Sequence, residues 1–348
     1  MHFDKRLAVA LISFVFICIS SFVHGSDKRV LVYRKKYIMG TVFEIAAYDH
    51  SIGHASAAIE RAFQKVVYLD DLMSNYKSDS ALSKLNSSAH FHAEHVPPDL
   101  YRVIDQAIKY SRLSNGKFDI SIGPLVNLWK AALRGESTPS REQQEDIRRC
   151  VGYEKIELVP PDQISFRSLC LQLDLGAIGK GYAVDRAAEV LRSMGIRDAL
   201  INAGGSTILA VGSPPAQTGW LVHLRDPSNK VDPQVMLNNE SVSTSEQTPP
   251  SLLGSDSAGH IIDPETAMPL KTVFAVSAVS RTGTESDALS TTLLLLGPAK
   301  GKILIKSMGP DVSAVWTSHD SRPETSTGGP RILFGKPLDA PLSAGTTP

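Results

Sequence analysis

The chain has no surplus of charge: 36 lysines and arginines stand against 36 aspartates and glutamates. Such a balance offers no field for a polyanion, so nucleic acid is excluded as an expected partner. Cysteine is scarce, three in 348 residues, and no cysteine-built metal site is expected. There is no twin-arginine pair near the start and no internal repeat. Neither the P-loop spacing nor the Gly-x-Gly-x-x-Gly fingerprint occurs around the glycine-rich stretches, which removes the familiar nucleotide-binding folds. Past residue 25, no segment reads as long and apolar enough to span a membrane.

The one long apolar run lies at the start. Lys5 and Arg6 precede the apolar stretch 7–19, and Val23-His-Gly25 places compact residues where a signal peptidase cuts. Residues 1–25 therefore read as a cleaved secretion signal that delivers a soluble chain to the periplasm; an uncleaved inner-membrane anchor is the other reading. Lipid anchoring wants a small residue before Cys18, and Phe16-Ile17 does not supply one. After the signal only Cys150 and Cys170 remain. In an oxidising compartment they either pair across the strand candidates 156–159 and 163–166 or stay as buried thiols. Residues 26–317 can bury a large core as one elaborate domain or two closely packed ones, and 318–348, rich in Pro, Gly, Ser and Thr, read as a loose tail in which 331–334 offers an edge strand.

Residues 37–47 alternate as a strand, with Phe43, Ile45 and Ala47 on one face. A long helix follows with Ala55, Ile59, Ala62, Phe63, Val66, Leu69 and Met73 inward, and Pro97-Pro98-Asp99 opens another. Thr138-Pro139 reads as the start of a short charged helix to Arg149. Further strands are expected at 199–202, 207–211, 220–224, 242–244, 273–279 and 312–316, with helices at 286–296 and 298–307. Strands and helices mix without strict alternation, so the expected class is α+β, mixed and antiparallel sheets with packed helices.

Three motifs carry chemistry. Asp174-Leu-Gly-Ala-Ile-Gly-Lys-Gly-Tyr-Ala-Val-Asp185 joins a short strand to an amphipathic helix through three glycines and Lys180. Glycines allow close backbone approach, and a helix N-terminus with a mobile cation suits a phosphate. Asp287 and Thr291 stand four apart behind a cap at Thr284 or Ser286, one turn apart on one helix face. Together they make two oxygen ligands for a hard cation such as Mg²⁺. His260-Ile-Ile-Asp-Pro264 sets a histidine at a strand start, where it is a candidate general base. Asn202-Ala-Gly-Gly205 ends a strand with room for a ligand, Gly116-Lys-Phe-Asp119 reads as a loop presenting an aromatic and an acid, and Tyr76 is placed to stack on a planar ring.

Taken in order with Met39-Gly-Thr41 and Ser74-Asn-Tyr76, these motifs resemble the ApbE family, the FAD:protein FMN transferases, over roughly residues 30 to 318. The resemblance implies a T-fold-like architecture. It also implies Mg²⁺-dependent transfer of FMN from FAD to a Thr or Ser hydroxyl of an exported or membrane-bound redox protein, with release of AMP. Met39, Tyr76, Lys117, Phe118, Asp119, Asp174 and Lys180 would contact FAD. The Ala177 carbonyl, Asp287 and Thr291, with Thr284 nearby, would hold the ion. His260, with Lys180 neutralising phosphate charge, would serve catalysis. Ser245-Glu-Gln-Thr248 and Thr266-Ala267 depart from the Ser-Gly-Asp-Tyr and Thr-Gly common in the family, both beside the expected acceptor channel. An FAD pyrophosphatase and a flavin-binding or delivery protein without chemistry are the alternatives that share this pocket.

Overall fold

The computed structural model describes residues 28–335 apart from 135, 137–138, 248–260, 273, 319–321 and 327–331. The expected signal (1–25), most of the expected tail and His260 lie outside the described residues. The frame is an eight-stranded antiparallel sheet in the order β1-β2-β6-β7-β10-β13-β14-β15. Its strands are β1 (Val30–Ile38), β2 (Thr41–Asp49), β6 (Asp198–Ala203), β7 (Thr207–Val211), β10 (Ser241–Glu246), β13 (Phe274–Ser280), β14 (Ser313–Ser318) and β15 (Glu324–Thr325). The single strand expected at 37–47 is in fact a hairpin. Ile38 pairs with Thr41, and Met39 and Gly40 turn the chain with φ of 53° and 71°. Both central residues have positive φ, as the tight turn of a twisted hairpin requires, and a methionine gives no sequence signal for it.

One face of the sheet carries α1 (Ile52–Met73), α6 (Gly179–Ser193) and α7 (Gly283–Met308), with α3 (Pro98–Leu113) packed against α1 and α7. The alternating Phe43, Ile45 and Ala47 are buried there with the apolar stripe of α1, as their spacing predicts. The other face is partly covered by a small sheet β16-β9-β8, formed by β8 (Trp220–His223), β9 (Asp232–Leu237) and β16 (Ile332–Gly335). Val222, Val235 and Leu237 meet Val242, Val279 and Val315 in that second core. Strands β13 and β14 lie between the two layers, so they are buried along nearly their whole length rather than at alternate residues.

Helix α7 joins the two helices expected at 286–296 and 298–307 across Gly297, whose φ of 70° and ψ of 173° are not helical, just before Pro298. Its 26 residues match a membrane span in length and hydropathy, contrary to the expectation that none would. Yet Leu289, Leu293, Leu294 and Ile305 are spent on a core with Trp316. Its N-cap is Thr282 rather than Thr284 or Ser286. The short helix α5 (Arg141–Arg148) starts at a Ser140 capping box with Gln143, not at Thr138-Pro139. Two helices had no clear sequence signal, α2 (Ala81–Ser88) and α4 (Gly123–Leu133). A third sheet joins β3 (Glu94–His95), β5 (Gln163–Phe166) and β4 (Ile156–Val159), and Cys150 and Cys170 are bridged beside it, 5.3 Å apart at Cα. The remaining strands, β11 (Ile262–Asp263) and β12 (Met268–Pro269), form a separate hairpin.

Candidate functional site

A cavity of about 1140 Å³ opens where the β1–β2 turn, the start of α6, the first turns of α7, the end of β10 and the β11–β12 hairpin meet. Met39, Tyr76, Lys117, Phe118, Asp119, Asp174, Ala177, Lys180, Asp287 and Thr291 all line it. Motifs from Met39 to Thr291 are thus gathered around one cavity.

The N-cap residue of α6 makes no side-chain cap, and Gly179 and Lys180 line the cavity. The Gly179 amide bonds the Leu175 carbonyl and the Tyr182 amide the Ile178 carbonyl, which leaves the Lys180 amide, with the helix dipole, as a seat for an anion. The Gly181 amide donates to Asp287 Oδ2 at 2.8 Å. It is the amide that would otherwise close the helical bond to Ala177, and among the described residues no backbone amide bonds the Ala177 carbonyl. Gly181 must be glycine. A Cβ there would stand 2.2 Å from the Gly283 carbonyl oxygen and 2.6 Å from Asp287 Cβ.

Asp287 is only 5% exposed, and burial raises its pKa, against the pull of Lys180 and the Gly181 amide. Lys180 makes no hydrogen bond or ion pair among the described residues, so its charge remains available to a phosphate. Thr291, one turn on, contacts the Ser245 hydroxyl at 2.9 Å. Thr284 does not join the cavity wall. Its hydroxyl and amide, with the Gly283 amide, all donate to Asp185, which thereby caps α7. Asp185 closes the glycine-rich motif, so that motif holds both helix starts together.

Asp174 accepts from the Gly176 amide at 2.8 Å, and its own amide bonds the Ile120 carbonyl. Asn86 grips both main-chain groups of Leu173 just before it, a role with no local sequence signal. Asp119 accepts from the Ser121 and Tyr153 amides, yet burial outweighs them and pushes its pKa up to about 6. Phe118 does not stand out into the loop as an aromatic platform: it is 2% exposed and sits edge-on to Tyr110. Tyr76 is 85% exposed at the rim with Lys130 over its ring, free on its other face to stack.

Lys117 is engaged. Its ammonium bonds Asp263 at 3.0 Å and pairs with Glu265. Burial would lower its pKa, but the two carboxylates overcome that and raise it. This ties the 116–119 loop to the β11–β12 hairpin, which Gln247 also holds through Ile261 and Leu270. Residue 260 immediately precedes that clamped hairpin. Across the mouth, Arg225 pairs with Glu246, and both line the cavity.

Among the described residues no three His, Cys, Asp or Glu side chains gather as a metal cage. One carboxylate, one hydroxyl and one unbonded carbonyl are instead the sparse oxygen set that Mg²⁺ accepts when water and phosphate oxygens complete its shell. The residues present therefore fit that ion.

Comparisons with known proteins agree with this geometry. The family model described as "ApbE family" matches residues 39–316. An FAD:protein FMN transferase of Escherichia coli K12 is 28% identical over 277 residues, covering 76% of this chain and 79% of its own. One from Treponema pallidum is 30% identical over 327 residues, covering 87% and 89%. Among solved structures, the apo flavinyl transferase ApbE of Pseudomonas stutzeri superposes with a TM-score of 0.76 at 24% identity, covering 86% of this chain and 95% of that one. The ApbE protein of Thermotoga maritima gives 0.76 at 22% identity, with 86% and 97% covered. These two establish a shared fold.

Proposed function

The chain belongs to the ApbE family, and on that premise we propose that it transfers FMN from FAD to a Thr or Ser hydroxyl of an exported or membrane-bound redox protein, releasing AMP. The single observation that carries the reading is the convergence of the α6 start, Lys180, the buried Asp287 carboxylate and the half-buried Thr291 hydroxyl on one cavity. Phosphoryl transfer asks little covalent work of a protein; it asks for positioning and charge neutralisation. Here the main-chain amide and the ammonium of Lys180, at the positive end of α6, would seat the FAD diphosphate. Asp174 and Asp119 would fix the approach of the nucleotide, and Tyr76 would stack on a planar ring at the rim.

Asp287, Thr291 and the Ala177 carbonyl would hold Mg²⁺. When bound, the ion would supply charge stabilisation on the diphosphate, worth several kcal/mol. The acceptor oxygen forms a bond to the FMN phosphorus as the bond to the AMP phosphate oxygen breaks. AMP departs with the electron pair, and the hydroxyl proton goes to a base. His260, from the sequence motif, is the proposed base. An export signal over residues 1–25 would put the reaction in the periplasm, and an acceptor in a membrane-associated electron-transfer system would bring the protein to the inner membrane.

The test is mass spectrometry of a Thr-containing acceptor peptide incubated with the protein, FAD and Mg²⁺. Transfer adds the mass of FMN to the peptide and yields AMP. FMN and AMP with unmodified peptide would instead make the protein a pyrophosphatase, and intact FAD would make it a binding protein. Asp287→Ala is expected to cut transfer about 10³-fold, the equivalent of roughly 4 kcal/mol. His260→Ala should slow transfer about 10²–10⁴-fold while sparing FAD affinity.

A further inference from the structure

We infer that Ser245 is a positioning residue for the cation site: it takes the proton of Thr291, so that the Thr291 oxygen faces the cavity as a lone-pair donor only. This rests on the magnesium reading above and deepens it.

The argument is a count of protons. Ser290 Oγ lies 3.0 Å from the Asp287 carbonyl oxygen, Ser245 Oγ lies 2.8 Å from Ser290 Oγ, and Ser245 Oγ lies 2.9 Å from Thr291 Oγ1. A hydroxyl has one proton and two lone pairs, and a carbonyl can only accept. Ser290 must therefore donate to the Asp287 carbonyl. Ser245 must then donate to Ser290, which leaves Thr291 to donate to Ser245. One assignment satisfies all three contacts, and it turns the Thr291 O–H sideways, away from the ligand position. A hard cation needs oxygen lone pairs, so this is the orientation that binds it.

The fold explains why the hydroxyls meet. Along β10 the period of two puts Ser241, Ser243 and Ser245 on the face toward α7, where Ser286 and Ser290 stand one turn apart. Ser243, on the same face, donates to Thr207 at 3.0 Å. A sheet hydroxyl thus aims the Thr291 ligand without being a ligand itself.

The experiment measures Mn²⁺ affinity by electron paramagnetic resonance, with FAD present, for the full chain and three variants, alongside FAD affinity and thermal unfolding. Ser245→Ala should weaken Mn²⁺ binding about 10-fold or more, the usual effect of losing a partner behind a metal ligand. FAD binding without metal should be unchanged. Ser245→Thr keeps the hydroxyl and should restore the affinity, which a merely space-filling role would not require. Wild-type Mn²⁺ affinity in Ser245→Ala, or failure of Ser245→Thr to restore it, overturns the inference. Asp287→Asn separates the premise: if it too binds Mn²⁺ like the wild type, the cation reading itself fails.

Discussion

The two walls of the cavity are built differently. At the α6–α7 wall, charge is handled by main-chain amides and short side chains, buried or half-buried: Gly181 to Asp287, the α7 amides to Asp185, sheet hydroxyls to helix hydroxyls. At the mouth, long side chains pair near solvent, Arg225 with Glu246 and Lys117 with Glu265. The first wall keeps the residue spacing of the ApbE pattern, and the second is where Ser245-Glu-Gln-Thr248 and Thr266-Ala267 depart from it. Buried short groups have a single workable geometry, whereas exposed ion pairs can be exchanged at little cost. On the proposed function, the end that would seat the diphosphate is thereby constrained, and the end that would meet a partner is open to change.

The strongest way to break that contrast is Gly181→Ala. The added methyl would collide with the Gly283 backbone carbonyl, which cannot rotate aside, so the starts of α6 and α7 must separate. Overpacking of this kind costs about 3 kcal/mol or more, and the Gly181–Asp287 bond would go with it. Thermal unfolding should show a clear drop in Tm together with weakened Mn²⁺ binding. A variant that is stable and binds as before would mean the two helix starts are not locked.

Asp119, in the 116–119 loop, sharpens the contrast through pH. Its folded pKa, about 6, lies above the ordinary carboxylate value of 3.8, so the folded state holds the extra proton between those limits. The stability it contributes is complete below about pH 4 and is lost as pH rises through about 6. Measured by urea unfolding, the wild type should therefore lose ground to Asp119→Asn across that window, by an amount on the order of 3 kcal/mol. The opposite slope would show that the Ser121 and Tyr153 amides outweigh burial.

The sequence was legible where a period or spacing is itself the structure. The stripes of α1 and α3, the α+β class and the one-turn separation of Asp287 and Thr291 are of that kind. Illegible parts depend on tertiary contacts or on residues working against their preferences. Met39 makes a tight turn without asparagine or glycine ahead of it, and Pro233 hides the middle strand β9. The α4 start lies behind Gly123-Pro124, with no side-chain cap to announce it. Thr284 had the right position for a ligand but is consumed by Asp185, a partner 99 residues away. The relay through Ser245 became visible only once β10 and α7 were side by side.

The smallest expected effect lies at the mouth. Glu246→Gly, which restores the residue common in the family, removes the pair with Arg225, whose side chain is 66% exposed. A pair so exposed contributes less than about 1 kcal/mol, so Tm should barely move. FAD and Mn²⁺ affinities should also hold, because neither residue reaches the α6–α7 wall. What should change is the KM for the acceptor, with kcat toward a saturating peptide nearly unaltered, since Arg225 and Glu246 line the cavity mouth where the proposed acceptor would enter. A change in kcat at constant KM would place this pair in the chemistry instead, and the division between a fixed wall and an adaptable one would have to be redrawn.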